Sequence, residues 1–118
     1  MTKDGNTAEV LERLFDVIET RRGADANSSY TASLLAEGTE KIAQKLGEEA
    51  IETIVAALSE TPERVSSESA DLLYHLMVLW ADVGIDPSDV WAELAGREGT
   101  SGIAEKAAIT VRFLARKQ

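Results

Sequence analysis

Apolar positions recur along this chain with the period of a helix rather than that of a strand. From Thr7 onward, Val10, Leu11, Leu14, Phe15, Val17 and Ile18 fall into one stripe. Asn6 or Thr7 is placed to cap this first helix, and Arg21-Arg22-Gly23 to end it, with cations in the last turn and glycine beyond. Residues 24–29, rich in Asp, Asn and Ser, read as a loop. A short helical turn over residues 30–36 follows, with Leu34 and Leu35 inward.

Thr39 is the expected cap of a longer helix that runs to about Ser59. At roughly 100° per residue, Lys41, Lys45, Glu48, Glu49 and Glu52 share one arc, while Ile42, Leu46, Ala50, Ile51, Ile54 and Leu58 cover most of the rest. The polar stripe is the narrow one, which predicts a largely buried helix. Thr61-Pro62 opens the next helix, which continues to about Asp82. Its second half, residues 72–80, is apolar nearly all round. Burial on so many sides, in a chain this small, predicts oligomerisation. Gly84 stops it. Asp86-Pro87 starts another helix, with Asp86 as cap and Val90, Trp91 and Leu94 inward. Residues 97–102 form a break, and a last amphipathic stretch over residues 103–116 ends in basic residues. No internal repeat or low-complexity segment is present.

Composition supports helices over sheet. Of 118 residues, 44% are apolar, enough to fold, but only 5% are aromatic. Ala and Leu dominate, whereas strands favour β-branched and aromatic residues. The expected fold is all-α: an antiparallel bundle of four to five helices, forming a single domain over residues 1–118, with residues 1–6 and the far C-terminus flexible. A net charge of -9 repels nucleic acid and anionic membrane, so neither is an expected partner. The absence of cysteine excludes disulfides and thiolate metal sites. No apolar run approaches the roughly 18 residues that span a bilayer, and residues 1–6 lack the apolar core of a signal peptide. The expected location is cytoplasmic.

The candidate chemistry lies in carboxylates. Glu48, Glu49 and Glu52 sit on one long helix, and Glu68 and Asp71 on the next. Residues three apart share a helix face, so Glu49 with Glu52, and Glu68 with Asp71, form matching pairs. Side by side, two such helices bring four carboxylates together. They repel one another unless a hard divalent cation lies between them, and oxygen-only ligands suit Mg²⁺ or Mn²⁺. A single Glu-Glu-x-x-Glu is more often a solvated acidic face. The apolar flanks and the second pair at matching spacing favour a metal site here.

Lys41 and Lys45 share the face of these acids. They serve either as salt-bridge partners of Glu48 and Glu49 or as point charges for a phosphate. His75 lies one turn after Asp71, where it is either a core residue or a substrate or outer-shell group. Tyr74 is expected to point elsewhere, into core or a dimer contact. Ser28, Ser29, Tyr30 and Thr31, with Arg21 and Arg22 nearby, offer hydroxyls and amides that make ordinary turns or cradle phosphate.

Taken with the stretches 22–31, 41–50 and 69–75, the acidic pattern resembles that of the all-α, MazG-type nucleoside triphosphate pyrophosphohydrolases. Within that superfamily it is similar to the phosphoribosyl-ATP pyrophosphatase family of histidine biosynthesis. The resemblance runs from about Leu11 to Leu94. It is the Ser-Ser-Tyr-Thr loop and the segment Asp71-Leu-Leu-Tyr-His75 that narrow it to this family. The resemblance implies a homodimer and a Mg²⁺-dependent cleavage of a nucleotide between its α and β phosphates. It implies that Glu49, Glu52, Glu68 and Asp71 hold the metal, and that Glu48 positions or deprotonates the attacking water beside Glu49. Lys41 and Lys45 would meet the phosphates. Residues 22–31, including Arg22, Ser28, Ser29, Tyr30 and Thr31, and also His75, would help hold the substrate. Two alternatives stay open: a house-cleaning hydrolase of dUTP, dCTP or related nucleotides, and a non-catalytic acidic helical dimerisation module.

Overall fold

The computed structural model describes residues 7–99 and residue 109. Among these residues there are five helices and no strand: α1 (Val10–Thr20), α2 (Tyr30–Glu37), α3 (Thr39–Ser59), α4 (Pro62–Val83) and α5 (Pro87–Ala95). The expected flexible ends and most of the basic tail lie outside the described residues. The chain divides into two compact units, one ending at Pro87 and the other beginning at Ser88. No helix among the described residues is long and apolar enough to cross a membrane.

The first unit is organised around α3 and α4, which pack on each other more extensively than any other pair; α1 and α2 lie against α4, and α2 also touches α3. Only Glu60 and Thr61 separate the two long helices, so they form an antiparallel hairpin. Thr61 caps α4 by accepting from the Arg64 amide at 3.3 Å, and Pro62 fills the first helical position, where a missing N–H costs nothing. Gly84, at φ 82°, closes α4 in the left-handed conformation that a side chain would strain. Gly38, at φ 94°, makes the one-residue corner between α2 and α3 for the same reason.

Two caps differ from expectation. Thr7 does not cap α1 itself. Its Oγ1 accepts from the Glu9 amide at 3.2 Å and so stabilises a turn just before the helix. Thr39 is the first residue of α3 rather than its cap; its hydroxyl donates to Asp82 and ties the start of α3 to the end of α4.

Phe15, Ile18, Ala32, Leu34, Ile42, Ala56, Met77, Val78, Trp80 and Ala81 are buried. Leu35 is only half-buried, and Val10, Val17, Leu73 and Leu94 are exposed, against the inward placement their spacing suggested. The largest departure is on α3. Ile51 (62% exposed), Ile54 (56%) and Leu58 (81%) face outward, with Val55 beside them. A hairpin with α2 alongside covers only part of α3, so its remaining apolar stripe has no cover among the described residues.

Candidate active site

The antiparallel register of the hairpin sets the site. It places the middle of α3 beside the first half of α4, and carboxylate oxygens of Glu49, Glu68 and Asp71 converge within 4.8 Å of one another. Glu49 is half-buried, Glu68 buried and Asp71 exposed, so the group opens to solvent at one end. Glu52, one turn along α3, is exposed and adjoins Glu68 in a shared pocket.

Two of these oxygens, Glu49 Oε2 and Glu68 Oε2, are buried and have no hydrogen-bond partner. Buried carboxylate oxygens without donors are costly. An all-oxygen donor set with orphaned lone pairs fits a hard divalent cation. Burial, reinforced by the adjoining Glu52 carboxyl and by Asp71, raises the pKa of Glu68 above the ordinary carboxylate range, and Arg64 opposes the shift. Arg64 bridges two acids: its Nη2 donates to Glu68 Oε1 and its Nε to Glu60 Oε1 at 3.2 Å.

The raised pKa has a consequence for stability. The folded chain holds a proton on Glu68 that the unfolded chain has already released, so folding is favoured while Glu68 is protonated. That advantage is lost as pH rises through the raised pKa. In EDTA, the melting temperature of wild type relative to Glu68→Gln should therefore fall as pH rises above the ordinary glutamate value of 4.5. A constant difference across that range would show that Glu68 ionises as it does in the unfolded chain.

Glu48 lies apart from the converging carboxylates. It accepts from Gln44 Nε2 at 3.0 Å and pairs with Lys45 Nζ at 3.4 Å. The Gln44 hydrogen bond, then the Lys45 charge, hold its pKa below the usual range, and Glu48 in turn raises Lys45. Lys41 acts on Glu48 through space, one turn further back.

Beside Asp71 lies an aromatic cluster joining α2 to α4. His75 Nδ1 donates to the Asp71 carbonyl at 2.8 Å; a carbonyl can only accept, so Nδ1 carries the proton. In the neutral ring Nε2 then accepts from the Tyr30 hydroxyl at 3.2 Å. Tyr30 stacks on Tyr74, with centroids 6.3 Å apart, and Thr31 is hydrogen-bonded to the Tyr74 hydroxyl. Burial raises the Tyr30 pKa; Lys45 opposes this, while Tyr74 and Glu49 add to it, which puts the phenol within electrostatic reach of both Lys45 and Glu49. Tyr74 thus packs with Tyr30 and His75 and bonds Thr31, in the aromatic cluster beside Asp71, rather than pointing elsewhere. Its spacing of three from Asp71 was the sequence signal.

The loop residues have structural partners. Ser29 caps α2 by accepting from the Ala32 amide at 3.1 Å, and the Ser28 hydroxyl donates to the Asp25 carbonyl at 3.1 Å. Arg22 is not brought to the carboxylates. It donates to Ala81 O and pairs with Glu19 at 3.2 Å, about 15 Å along α4 from Asp71 at helical rise. Sequence reading had passed over Arg64; its signal was the four-residue spacing to Glu68 on one helix face.

The all-helical fold with two acid-bearing antiparallel helices agrees with the MazG-like helical fold of the family that the chain matches. Residues 11–98 match the phosphoribosyl-ATP pyrophosphohydrolase family, and the chain belongs to that family. It is 58% identical over 106 residues to a phosphoribosyl-ATP pyrophosphatase of Azospirillum brasilense, covering 90% of this chain and 96% of the relative. It is 64% identical over 100 residues to one of Rhodospirillum rubrum, covering 85% and 86%. A relative of that name from Paramagnetospirillum magneticum is 62% identical over 99 residues, covering 84% and 91%. The chain is accordingly a hydrolase.

Proposed function

We propose that this chain hydrolyses phosphoribosyl-ATP between its α and β phosphates, giving phosphoribosyl-AMP and pyrophosphate, as a cytoplasmic enzyme of histidine biosynthesis. The observation that carries the reading is the convergence of Glu49, Glu68 and Asp71, with two orphaned oxygens, in a chain so similar to relatives of that name.

In this reading Glu49, Glu52, Glu68 and Asp71 hold Mg²⁺, or Mn²⁺ in its place. The bound cation would neutralise phosphate oxygens and acidify water. Phosphoryl transfer needs positioning and charge neutralisation more than covalent help, and the residues of the chain supply these. Glu48 is held ionised, so it is an acceptor that orients water beside Glu49. Lys45 and Lys41 meet phosphate oxygens as point charges. Tyr30, Thr31 and His75 line the substrate side of the site, and Ser28 and Ser29 shape the loop that carries Tyr30. Arg22 is left out of the site because its guanidinium is held at the far end of α4. The functional unit is one pyrophosphohydrolase domain, paired with a second copy through the exposed apolar face of α3.

A substrate panel tests the reading. Initial rates with Mg²⁺ on phosphoribosyl-ATP, ATP, dUTP and dCTP should favour phosphoribosyl-ATP strongly. Preference for dUTP or dCTP would retain the chemistry and reassign the substrate. Lys45→Ala should lower kcat/KM by roughly tenfold, the effect of losing one charge-assisted hydrogen bond. If neither kinetic constant moves, the lysine is only the partner of Glu48.

A further inference from the structure

Arg64 stands out among the residues that the reading above leaves without a task. It is the cation closest to the converging carboxylates, and it reaches them from the far side of Glu68, away from Lys41 and Lys45. The Glu68 side chain is only 7% exposed, whereas that of Arg64 is 52% exposed. A buried acid is thus bound to a cation that opens to solvent.

The arrangement of donors matters. Nε and Nη2 form one edge of the planar guanidinium, and that edge is taken by Glu60 and Glu68. Nη1 has no protein partner among the described residues. The end-on edge that Nη1 forms with Nη2 therefore stays available, and it is the fork that pairs with two oxygens of a phosphate. Because both acids hold the side chain, little rotamer freedom remains to be lost on binding.

Arg64 also lines a pocket of about 470 Å³ together with Glu52, Val55, Glu60 and Glu68. That volume falls within the rough range of 300–1,000 Å³ of small-ligand sites. With three acids around it, the pocket repels anions on its own. It accepts one only when divalent cations have offset the carboxylates, as bound cations invert the local field.

We infer that Arg64 is a phosphate-binding residue that contacts the diphosphate end of the substrate, and the pyrophosphate released from it, through the open edge of its guanidinium. This rests on the metal-assisted reading of the site. Lys45 and Lys41 then approach the phosphate chain from α3 while Arg64 approaches from the start of α4, so the scissile anhydride is gripped from two sides. The grip forms only in the metal-loaded protein, which makes anion binding conditional on cation binding.

The test is calorimetric titration of inorganic pyrophosphate, added as its magnesium complex, into protein saturated with Mg²⁺. Wild type, Arg64→Ala and Arg64→Lys are compared, and Mg²⁺ alone is titrated against the melting temperature of each. Arg64→Ala should weaken pyrophosphate binding by roughly 10- to 100-fold, while its Mg²⁺ midpoint stays within about threefold of wild type. Arg64→Lys should recover part of the loss, since it restores the charge without the fork. Pyrophosphate binding by Arg64→Ala equal to that of wild type would overturn the inference. So would a loss matched by an equal loss of Mg²⁺ affinity, which would make Arg64 only a support for Glu68. Failure of wild type itself to take up magnesium pyrophosphate would instead bring down the reading of the site, and this inference with it.

Discussion

Glu49→Gln should remove nearly all turnover while leaving the protein folded and, without metal, at least as stable as wild type. Glu49 presents a buried carboxylate oxygen with no donor, close to Glu68 and Asp71. In metal-free protein this charge only repels its neighbours, so a neutral amide of the same shape relieves the cluster. The amide N–H can also donate to Glu68 or Asp71. In metal-loaded protein the same change would delete a ligand of the proposed site. Loss of an outer-shell partner alone costs roughly 10- to 100-fold in affinity or activity, and a direct ligand should cost more. The two effects separate in one experiment, a melting curve with and without Mg²⁺. Wild type should gain about 2.7 kcal/mol at a hundredfold excess of Mg²⁺ over its Kd. Glu49→Gln should start equal or higher in EDTA and gain little. Full activity, or an undiminished Mg²⁺ response, would take Glu49 out of the metal shell.

The second large effect concerns assembly. Ile51, Ile54, Val55 and Leu58 recur at the spacing of one helix face, and among the described residues they are largely uncovered. An exposed apolar stripe of this kind marks an interaction surface, and in the proposed dimer a second copy would cover it. The double change Ile54→Asp with Leu58→Asp should yield a monomer. Burying each such side chain is worth about 1.5–3 kcal/mol, so the dimer Kd should rise at least roughly a thousandfold once desolvation of the two charges is included. Because neither residue belongs to the buried core, helix content should survive. Sedimentation velocity at micromolar protein decides it. A wild-type monomer, or a double variant that still sediments as a dimer, would refute the assignment of this face.

How much of this was legible beforehand follows from which signals are local. The α3–α4 hairpin was readable because Thr61, Pro62 and Gly84 act through local backbone geometry, and no tertiary contact among the described residues draws them away as Asp82 draws the Thr39 hydroxyl. Once two residues join the helices, their register follows, and matching three-residue spacings bring Glu49 to Glu68 and Asp71. The position of Glu48 was not legible, since whether it faces the cluster or folds back onto Gln44 and Lys45 depends on side-chain rotamers. Arg22 illustrates the same limit: its proximity in sequence to the loop gave no hint that its guanidinium reaches Ala81, far along the chain. The burial of α3 was overestimated for a different reason. Apolar spacing marks a face that needs cover but not what provides it, and Ile51, Ile54 and Leu58 are left exposed among the described residues.

The most direct measurement is phosphorus NMR of phosphoribosyl-ATP incubated with the protein, with Mg²⁺ and then with EDTA. The account predicts pyrophosphate and phosphoribosyl-AMP as the products with Mg²⁺, and no turnover once the metal is removed. Release of orthophosphate, turnover that persists in EDTA, or an unchanged substrate in the presence of Mg²⁺ would contradict it.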